Sequence, residues 1–416
     1  MKNLIILTNS FPYEGGEQFI ESEVHYWANT AYDKVYIVPN SKSEGKIRFY
    51  PKDLTLYPRV KLNIITIINC LIASLISSMM WKDFFYLLKE KKLKFPTLKA
   101  LLKTVLLVNL KKKQLNKLLK NINGEIYVYS YWNDVDFYAA CELKKNKKIK
   151  SIISRAHRYD LYEEFRDNSY MPLKRQYSNV VDKIYLLTNS AKEYYNYNYN
   201  YNYNVLDVAK LGVFLPSSSP DYKIDRTEIK VLSISNCISI KRVDKIVDAL
   251  NEFSAKEKIK VDWVHVGDGA LLDKLKQQAR EVQMIKKNKY FKSDFLGYLP
   301  NSEVKKLLSK QSFDLFINAS ESEGVPVSIM EAMSYSIPVI APDVGEISDI
   351  VNDSTGKLLN SEPSILNFVE AIQEIYFSEK YFNYRENALL MVKQNYNAEK
   401  NYKKFINNLD ELILNE

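Results

Sequence analysis

The chain has few of the residues that build disulfide frameworks and metal centres. Its 416 residues include only 3 cysteines, Cys70, Cys141 and Cys237, which stand far apart and lack the spacing of metal ligands. This scarcity argues against a disulfide scaffold or a zinc site and suits a reducing compartment. The N-terminus has a short apolar run but no small-residue cleavage site, so we interpret it as a first strand rather than a signal peptide.

Acidic residues are nearly absent from the segment 82–120, which holds 12 lysines against Asp83 and Glu90. The formal net charge of the whole chain is +9, so the remainder of the chain is close to neutral. A basic patch can bind nucleic acid. Here, however, the lysines alternate with aliphatic residues and no known nucleic-acid motif is present. We therefore expect no nucleic-acid partner.

Apolar runs alternate with helical patterns along most of the chain, and this order predicts parallel α/β sheets. Strand-like runs lie at 4–7, 35–38, 126–129, 152–154 and 183–186, and again at 231–234, 261–264, 315–317 and 338–341. The segment 216–220 is typical of a linker, and 384–414 has the pattern of one long polar helix. The pattern predicts two domains, 1–216 and 217–383, followed by a C-terminal helix, 384–416. Ligands bind at the carboxyl ends of the strands in such sheets.

Two segments depart from the α/β pattern. The segment 62–81 holds no charge over about the thickness of a bilayer core, and the lysine-rich segment follows it. For the insertion 62–120 we consider a helical surface that docks on an anionic membrane, an ordinary soluble helical insertion, and a true membrane span. The second segment, 195–204, is an unbroken Tyr-Asn repeat. Its alternation predicts a strand with every tyrosine on one face, and we interpret it as a surface expansion without a catalytic role.

A polar loop follows the apolar run 315–317 and carries Glu321 and Glu323 before Gly324 and Pro326. The next apolar stretch has helical spacing and carries Glu331. Proline at a first helical position and a strand-loop-helix order fit a turn whose free backbone N–H groups face a phosphate. Carboxylates cannot bind that anion, so they serve other groups of the same ligand, such as hydroxyls. An anion with hydroxyls at both ends is a nucleotide sugar.

The spacing of Glu323 and Glu331 resembles that of the family 4 glycosyltransferases of the two-domain GT-B fold. Further matches to the family pattern are Ser320, Ser322, Gly324, Pro326, Ala332, Met333, the run 338–341 and Gly345. The resemblance implies two Rossmann-like domains facing a central cleft, with the C-terminal helix crossing back to the first domain. It also implies that Glu323 contacts the donor sugar and that Glu331 holds the ribose. Loop residues including Ser322, Gly324, Val325 and Pro326 would meet the diphosphate.

Other loops complete this predicted site. Around Gly15 and Gly16 the sequence resembles the first loop of the family, which lies beside the donor diphosphate. Lys241 matches a family lysine on the diphosphate, Asn236 replaces the usual arginine, and Arg242 is adjacent. Gly267 and Gly269 permit close backbone approach, and Tyr298 and Leu299 fall in the segment that receives the base. His157 follows a strand, and in relatives a histidine there reaches the donor sugar; we assign Asp160 and Trp132 to the acceptor.

The resemblance implies a retaining glycosyltransferase in which Glu323, His157 and Lys241 are catalytic. The substrates would be a nucleotide diphosphate sugar, a UDP-sugar above all, and a glycan or lipid-linked acceptor of bacterial surface polysaccharide. We expect no cofactor and no metal, although Asp134 and Asp136 form one Asp-x-Asp triplet. The alternatives are a GT-B nucleotide-sugar epimerase and an inactive GT-B binding subunit. We expect a cytoplasmic protein, peripheral on the inner face of the membrane.

Overall fold

The computed structural model describes residues 1–14, 16–17, 19–40, 44–58, 60–218, 220, 222–285 and 288–414. The chain divides into two compact units, Met1–Lys210 with Tyr402–Glu416, and Leu211–Asn401. The division falls before the predicted linker at 216–220. Gly15 of the predicted first loop lies outside the described residues.

The first unit is built on a parallel seven-stranded sheet of order β3-β2-β1-β4-β5-β6-β7. Its strands are β1 (Lys2–Thr8), β2 (Lys34–Pro39), β3 (Leu54–Leu56), β4 (Glu125–Ser130), β5 (Ser151–Arg155), β6 (Lys183–Leu186) and β7 (Leu206–Val208). Leu4, Ile5, Ile6 and Leu7 are all at most 1% exposed, so β1 is covered on both faces. Burial on both faces is why the central strands read as continuous apolar runs.

Among the described residues of the first unit, seven α-helices precede β7. They are α1 (Ile20–Trp27), α2 (Ile64–Leu75), α3 (Ser78–Lys89), α4 (Phe95–Leu119), α5 (Val135–Lys145), α6 (Arg158–Leu161) and α7 (Asn189–Tyr199). Three of them, α2, α3 and α4, form the insertion between β3 and β4. The parallel sheet predicted from the alternating pattern is therefore confirmed, with the insertion confined to one crossover.

The uncharged segment 62–81 is not one continuous helix. The Asn63 and Ser77 side chains accept hydrogen bonds from the backbone N–H groups of Thr66 and Met80, so each caps a separate helix. Within the described residues no single helix has the length and apolarity needed to cross a membrane. By length and composition alone, the pair α2 and α3, bent by 43° at the junction, meets that test.

The insertion presents a wide apolar surface. In the structure Ile76 is 76% exposed and Phe85 is 60% exposed. Further exposed apolar residues of the same helices are Ile64, Ile65, Ile68, Leu71, Ile72, Leu75, Trp81 and Leu88. Scattered exposed apolar residues are ordinary, but here many of them lie on two consecutive helices.

Buried polar contacts fasten the insertion to the sheet domain. The Nζ of Lys111 on α4 lies 3.2 Å from Oδ1 of Asp136 on α5, with both side chains at most 5% exposed. On α3 the carboxylate of Asp83 accepts from the Tyr170 hydroxyl at 2.6 Å and from the Leu173 N–H at 2.7 Å. The insertion is thus an integral part of the first unit.

The Tyr-Asn repeat does not form the predicted strand. Its first half continues α7, where Tyr195 and Tyr199 are four residues apart on one face and are 0% and 1% exposed. Tyr197 lies on the opposite face and is 87% exposed. Asn200 ends the helix in the left-handed region, with φ 55°, and Tyr201 is 2% exposed. The repeat supplies core side chains, so the interpretation as a surface expansion was wrong.

The second unit contains a parallel six-stranded sheet of order β10-β9-β8-β11-β12-β13. Its strands are β8 (Glu228–Ile234), β9 (Lys260–Val266), β10 (Phe291–Gly297), β11 (Leu315–Ile317), β12 (Val339–Pro342) and β13 (Gly356–Leu359). Its helices are α8 (Val243–Glu257), α9 (Leu272–Ile285), α10 (Asn301–Lys310), α11 (Val327–Ser334), α12 (Ile365–Tyr376) and α13 (Tyr381–Asn395). The strand order reverses between β8 and β11, which is the topological switch point where ligands of such sheets bind.

The C-terminal segment is two helices rather than the single predicted one. The break lies at Tyr396 and Asn397, between α13 and α14 (Ala398–Leu414). From Tyr402 onward the chain belongs to the first unit, where Phe405 and Leu409 are at most 1% exposed in its core. The C-terminal helix therefore returns to the first domain, as the GT-B resemblance implied.

Candidate functional site

The glutamate loop after β11 is organised around one carboxylate oxygen. Oε1 of Glu323 accepts three hydrogen bonds, from Nζ of Lys241 at 2.6 Å, Oγ of Ser320 at 2.6 Å and Nδ2 of Asn318 at 3.1 Å. The side chains of Lys241 and Glu323 are 20% and 12% exposed. The predicted catalytic lysine and glutamate are thus brought into direct contact, although 82 residues separate them in the chain.

Gly345 allows the loop after β12 to lie against this glutamate loop. Its φ is +61°, and a Cβ added there would lie 1.8 Å from the backbone oxygen of Glu323. Any side chain at this position would therefore clash with the backbone of the glutamate loop. The match of Gly345 to the family pattern has a steric cause.

Arg242 does not join Lys241 on Glu323. It occupies the left-handed region, with φ 45° and ψ 41°, at the start of α8. Its guanidinium bonds to the carboxylates of Asp244 and Glu321, and those hydrogen bonds raise its pKa. The Glu321 N–H also donates to the backbone oxygen of Ile240 at 2.9 Å. Arg242 and Glu321 therefore tie the lysine loop to the glutamate loop, while Asn236 lies in the preceding turn.

The glycines after β9 make a close turn beneath the lysine loop. Gly267 has φ +151°, and a Cβ there would lie 1.8 Å from the Ser235 backbone oxygen. At Gly269, with φ +153°, the corresponding distance to the Cys237 oxygen is 2.6 Å. The Cys237 N–H also donates to the Asp268 oxygen at 2.9 Å. Close backbone approach, the predicted role of both glycines, is here an approach to the segment 235–237.

A buried hydrogen-bonded chain that the sequence analysis missed supports the same segment. Trp263 Nε1 donates to Ser233 Oγ at 2.9 Å, and Ser233 Oγ lies 2.8 Å from Nδ1 of His265. Nε2 of His265 lies 3.4 Å from Sγ of Cys237. Burial lowers the pKa of His265 to about 4, so the ring is neutral. The only signal in the sequence was a histidine in a strand next to a glycine turn.

The helix after the glutamate loop, α11, carries Glu331 on a buried face. Pro326 is its N-cap residue rather than the predicted first helical residue, and the helix begins at Val327. Glu331 is 7% exposed, and its Oε1 accepts from Nδ2 of Asn301 at 2.5 Å. Asn301 begins α10, directly after the predicted base segment with Tyr298 and Leu299. Glu331 is therefore no solvated surface glutamate.

In the first unit, Glu17 organises the loop after β1 and was missed by the sequence analysis. Its carboxylate accepts from the backbone N–H groups of Asn9 at 2.9 Å, Ser10 at 2.7 Å and Phe11 at 2.6 Å. Trp132, predicted to contact the acceptor, donates its Nε1–H to Glu17 at 2.5 Å. The signal was an acidic residue just after the glycine pair. Gly16 lies in this loop with φ +142°.

Three aromatic side chains lie around the ring of His157. Its ring centroid is 5.1 Å from that of Tyr131, 5.6 Å from that of Phe19 and 4.7 Å from that of Trp132. Among the described residues neither ring nitrogen has a hydrogen-bond partner. Burial, followed by the charge of Arg155, lowers the pKa of His157 well below its usual value. A neutral imidazole with unused nitrogens can bond to a sugar hydroxyl.

Asp160 positions the backbone around His157, and its predicted contact with the acceptor stays a prediction. It is 1% exposed, and its two oxygens accept from the backbone N–H groups of His157 at 2.6 Å and Asn133 at 2.5 Å. Burial raises the pKa of this carboxyl. Asp160 therefore joins the loop after β4 to the turn that carries His157.

Tyrosines of the repeat donate hydrogen bonds to the segments that surround His157. The Tyr195 hydroxyl donates to Oδ1 of Asn133 at 2.8 Å, and the Tyr201 hydroxyl donates to the Lys174 oxygen at 2.9 Å. Tyr199 donates to the backbone oxygen of Leu161. Lys174 Nζ in turn donates to Oδ1 of Asn133 at 2.6 Å. The repeat showed no functional signal in the sequence. Its tyrosines nevertheless support the residues around His157.

The predicted site residues fall in the two separate units. In the second unit the structure brings together Lys241, Glu323 and their loop partners, and in the first unit His157, Trp132 and Asp160. Within the described residues no group of three or more His, Cys, Asp or Glu side chains could hold a metal ion. Asp136 of the Asp-x-Asp triplet is instead paired with Lys111.

Comparisons with known proteins agree with this geometry. Residues 216–400 match the family described as glycosyl transferases group 1. The O-antigen biosynthesis glycosyltransferase WbnH of Escherichia coli is 28% identical over 162 residues, 39% of this chain and 41% of WbnH. The N-acetyl-alpha-D-glucosaminyl L-malate synthase of Bacillus anthracis is 27% identical over 181 residues, 43% of this chain and 45% of that enzyme. The chain thus spans less than half the length of these curated relatives.

Similar solved structures extend over the whole chain. The lipopolysaccharide outer core galactosyltransferase WaaB has a TM-score of 0.67 at 14% identity, covering 100% of this chain and 99% of WaaB. HepE of Anabaena, solved with UDP and glucose, has a TM-score of 0.63 at 14% identity and covers 98% of both chains. The fold is therefore GT-B. Residues 216–400 of the chain are similar to the glycosyl transferases group 1 family.

Proposed function

We propose that this chain is a retaining glycosyltransferase of family 4 that moves a sugar from a nucleotide diphosphate donor to a glycan or lipid-linked acceptor. The observation that carries the proposal is the contact between Lys241 and Glu323 at the end of β11, at the switch point of the second sheet. The relation to O-antigen biosynthesis enzymes supports a role in bacterial surface polysaccharide.

The residues of the second unit supply complementary contacts for such a donor. Lys241 offers a fixed positive charge to the diphosphate, whose negative charge grows as the glycosidic bond breaks. Its partner Glu323 offers carboxylate oxygen to sugar hydroxyls, and the buried Glu331 offers the same to the ribose. The backbone N–H groups at the start of α11 face the phosphate without needing a metal ion. In the first unit, neutral His157 offers a ring nitrogen to a sugar hydroxyl.

Release of nucleotide diphosphate from a panel of nucleotide sugars tests this function, with UDP-sugars expected to react. Glu323→Ala should abolish the release without unfolding the chain, since it removes charged hydrogen bonds of roughly 1.5–3 kcal/mol each. Glu374→Gln is a matched control in the same unit, because Glu374 lies on α12 and bonds to Lys357 away from this loop. Near-native turnover of the Glu323 variant would place the donor elsewhere, and complete loss of activity in EDTA would contradict a metal-free reaction.

The same assay separates the two alternative functions. A GT-B epimerase would convert the sugar without net transfer to an acceptor, and an inactive binding subunit would bind the nucleotide without releasing product. Transfer to a saccharide acceptor, measured by mass spectrometry, contradicts both. The intact contact of Lys241 with Glu323 favours the enzyme over the inactive subunit.

We also propose that the insertion docks the first unit on the cytoplasmic face of an anionic membrane. The exposed apolar residues of α2 and α3 would enter the interface, and lysines of α3 such as Lys82 and Lys89 would meet lipid headgroups. Each lysine near an anionic surface contributes about 1 kcal/mol, and salt screens this term. Lys111 takes no part, because it is buried with Asp136.

Vesicle sedimentation tests the docking. We expect binding to anionic vesicles, weak binding to neutral ones and partial release at high salt. The double variant Lys82→Glu and Lys89→Glu should bind less, whereas the matched double variant Lys256→Glu and Lys380→Glu in the second unit should not change binding. If the protein bound to neither vesicle type, the insertion would be a soluble element. If only detergent extracted the protein, a membrane span would be favoured.

A further inference from the structure

The first unit contains an open cavity of about 360 Å³ whose walls come from the insertion and from the His157 turn. Lys103 and Leu107 line it from α4, Asp134 from the start of α5, and Tyr159 and Arg166 from the segment after β5. The wall near Tyr170 is held in place by Asp83 of α3, through the hydroxyl of Tyr170. Two of the three inserted helices therefore build or brace this cavity.

The lining combines groups that suit a sugar with groups that suit an anion. Tyr159 is 63% exposed and offers an aromatic face, on which the C–H face of a sugar ring can stack. The guanidinium of Arg166 lies 3.4 Å over that ring, and its buried Nε has no hydrogen-bond partner among the described residues. Lys103 adds a second cation on the facing wall. Arginine binds carboxylate and phosphate through paired N–H groups.

Asp134 gives the cavity a carboxyl group that can be protonated near neutral pH. Burial raises its pKa to about 7, and the neighbouring charges of Asp136 and Asp160 act in the same direction. Near neutral pH this carboxyl can therefore donate to or accept from a hydroxyl, and it repels an anion less than an ordinary aspartate would. The charged groups around it are Asp136, Asp160, Lys174, Lys103 and Arg166.

We propose that this cavity binds the acceptor through a saccharide unit that carries an anionic group, with Arg166 and Lys103 on the anion and Asp134 and Tyr159 on the sugar. The proposal rests on the proposed transfer function and assigns its acceptor side. The insertion then has two roles, since the helices that carry the exposed apolar surface also shape the cavity.

Ligand-observed NMR on the full chain, with saturating UDP present, tests the cavity directly. The probes are methyl glucuronoside, methyl glucoside and glucose 1-phosphate, so that a carboxylate, no charge and a phosphate are compared on one sugar. We expect the anionic probes to bind more tightly than methyl glucoside. Arg166→Ala should weaken the anionic probes by about tenfold or more, with little effect on methyl glucoside. The control Lys117→Ala, an exposed residue of α4 that does not line the cavity, should leave all three unchanged.

A second variant keeps the proposal testable if Arg166→Ala misfolds. Leu107→Trp would fill the cavity from its half-exposed wall and should remove binding of every probe while leaving UDP binding unchanged. Equal affinity for charged and neutral probes, unchanged binding in both variants, or no binding of any probe to the wild-type chain would overturn the proposal. A failure of UDP to bind would instead count against the proposed function, because the nucleotide is assigned to the second unit and the probes to the first.

Discussion

Replacing Lys241 by alanine should slow catalysis more than it weakens donor binding. Nζ of Lys241 lies 2.6 Å from Glu323, and the pair is only 20% and 12% exposed, so solvent cannot replace the missing charge well. A charge-assisted hydrogen bond contributes about 1.5–3 kcal/mol. If this interaction is strongest when the diphosphate leaves, kcat should fall by roughly 10- to 150-fold.

The assay is steady-state release of nucleotide diphosphate over a range of donor concentrations, which separates kcat from KM. Lys245→Ala is the matched control, because this lysine lies on the adjoining helix and donates to the backbone oxygen of Pro363. A double variant with Glu323→Ala should cost less than the sum of the two single changes, since contacting residues couple. A rise in KM with kcat unchanged would refute the reasoning, because Lys241 would then bind the ground state and transition state equally.

Three further changes test the framework around the site. Lys111→Met should lower the free energy of unfolding of the first unit by about 3–5 kcal/mol in urea titrations, because the buried Asp136 would lose the cation that lies against it; a loss below about 1 kcal/mol would contradict this. Tyr195→Phe should cost about 0.5–1.5 kcal/mol and reduce kcat, whereas Tyr197→Phe, at a position 87% exposed, should do neither; equal effects of the two would remove the positioning role. The pKa of His265 is about 4 in the fold, below its usual 6.5, so the folded state binds fewer protons between these values. The free energy of unfolding should therefore fall as pH drops from about 6.5 to 4, by about 3 kcal/mol, and a His265→Gln variant should show a flatter pH dependence.

The sequence predicted the sheets well because their strands are buried on both faces. The run 315–317 coincides with β11, and 183–186 with β6, since continuous apolar runs leave little ambiguity. The contact of Lys241 with Glu323 joins the ends of two adjacent strands, β8 and β11, so strand order alone placed these residues near each other.

What the sequence could not predict depends on tertiary partners. The alternation of the repeat has the period of a strand, but the flanking helix α7 extends into it because Tyr195 and Tyr199 bury against distant residues. For Glu17 the only signal was its place after the glycine pair, since its role comes from backbone N–H groups that the loop turns toward it. The backbone contacts of Asp160 could not be predicted either, because burial and amide partners cannot be read from a carboxylate next to a histidine.

The Tyr-Asn repeat also allows the chain to lose one Tyr-Asn unit without losing its buried tyrosines. Two repeat units span four residues, about one helical turn, so a chain with one unit fewer still has tyrosine at positions 195, 199 and 201 and asparagine at 200. The whole length change then falls on the short exposed connection that leads into β7, at Tyr203 and beyond. A change in the number of Tyr-Asn units would therefore alter the length of a loop and leave the buried tyrosines that support the site unchanged. A variant shortened by one unit should keep its circular dichroism and kcat, whereas deleting a single residue between Tyr195 and Tyr199 should disrupt both.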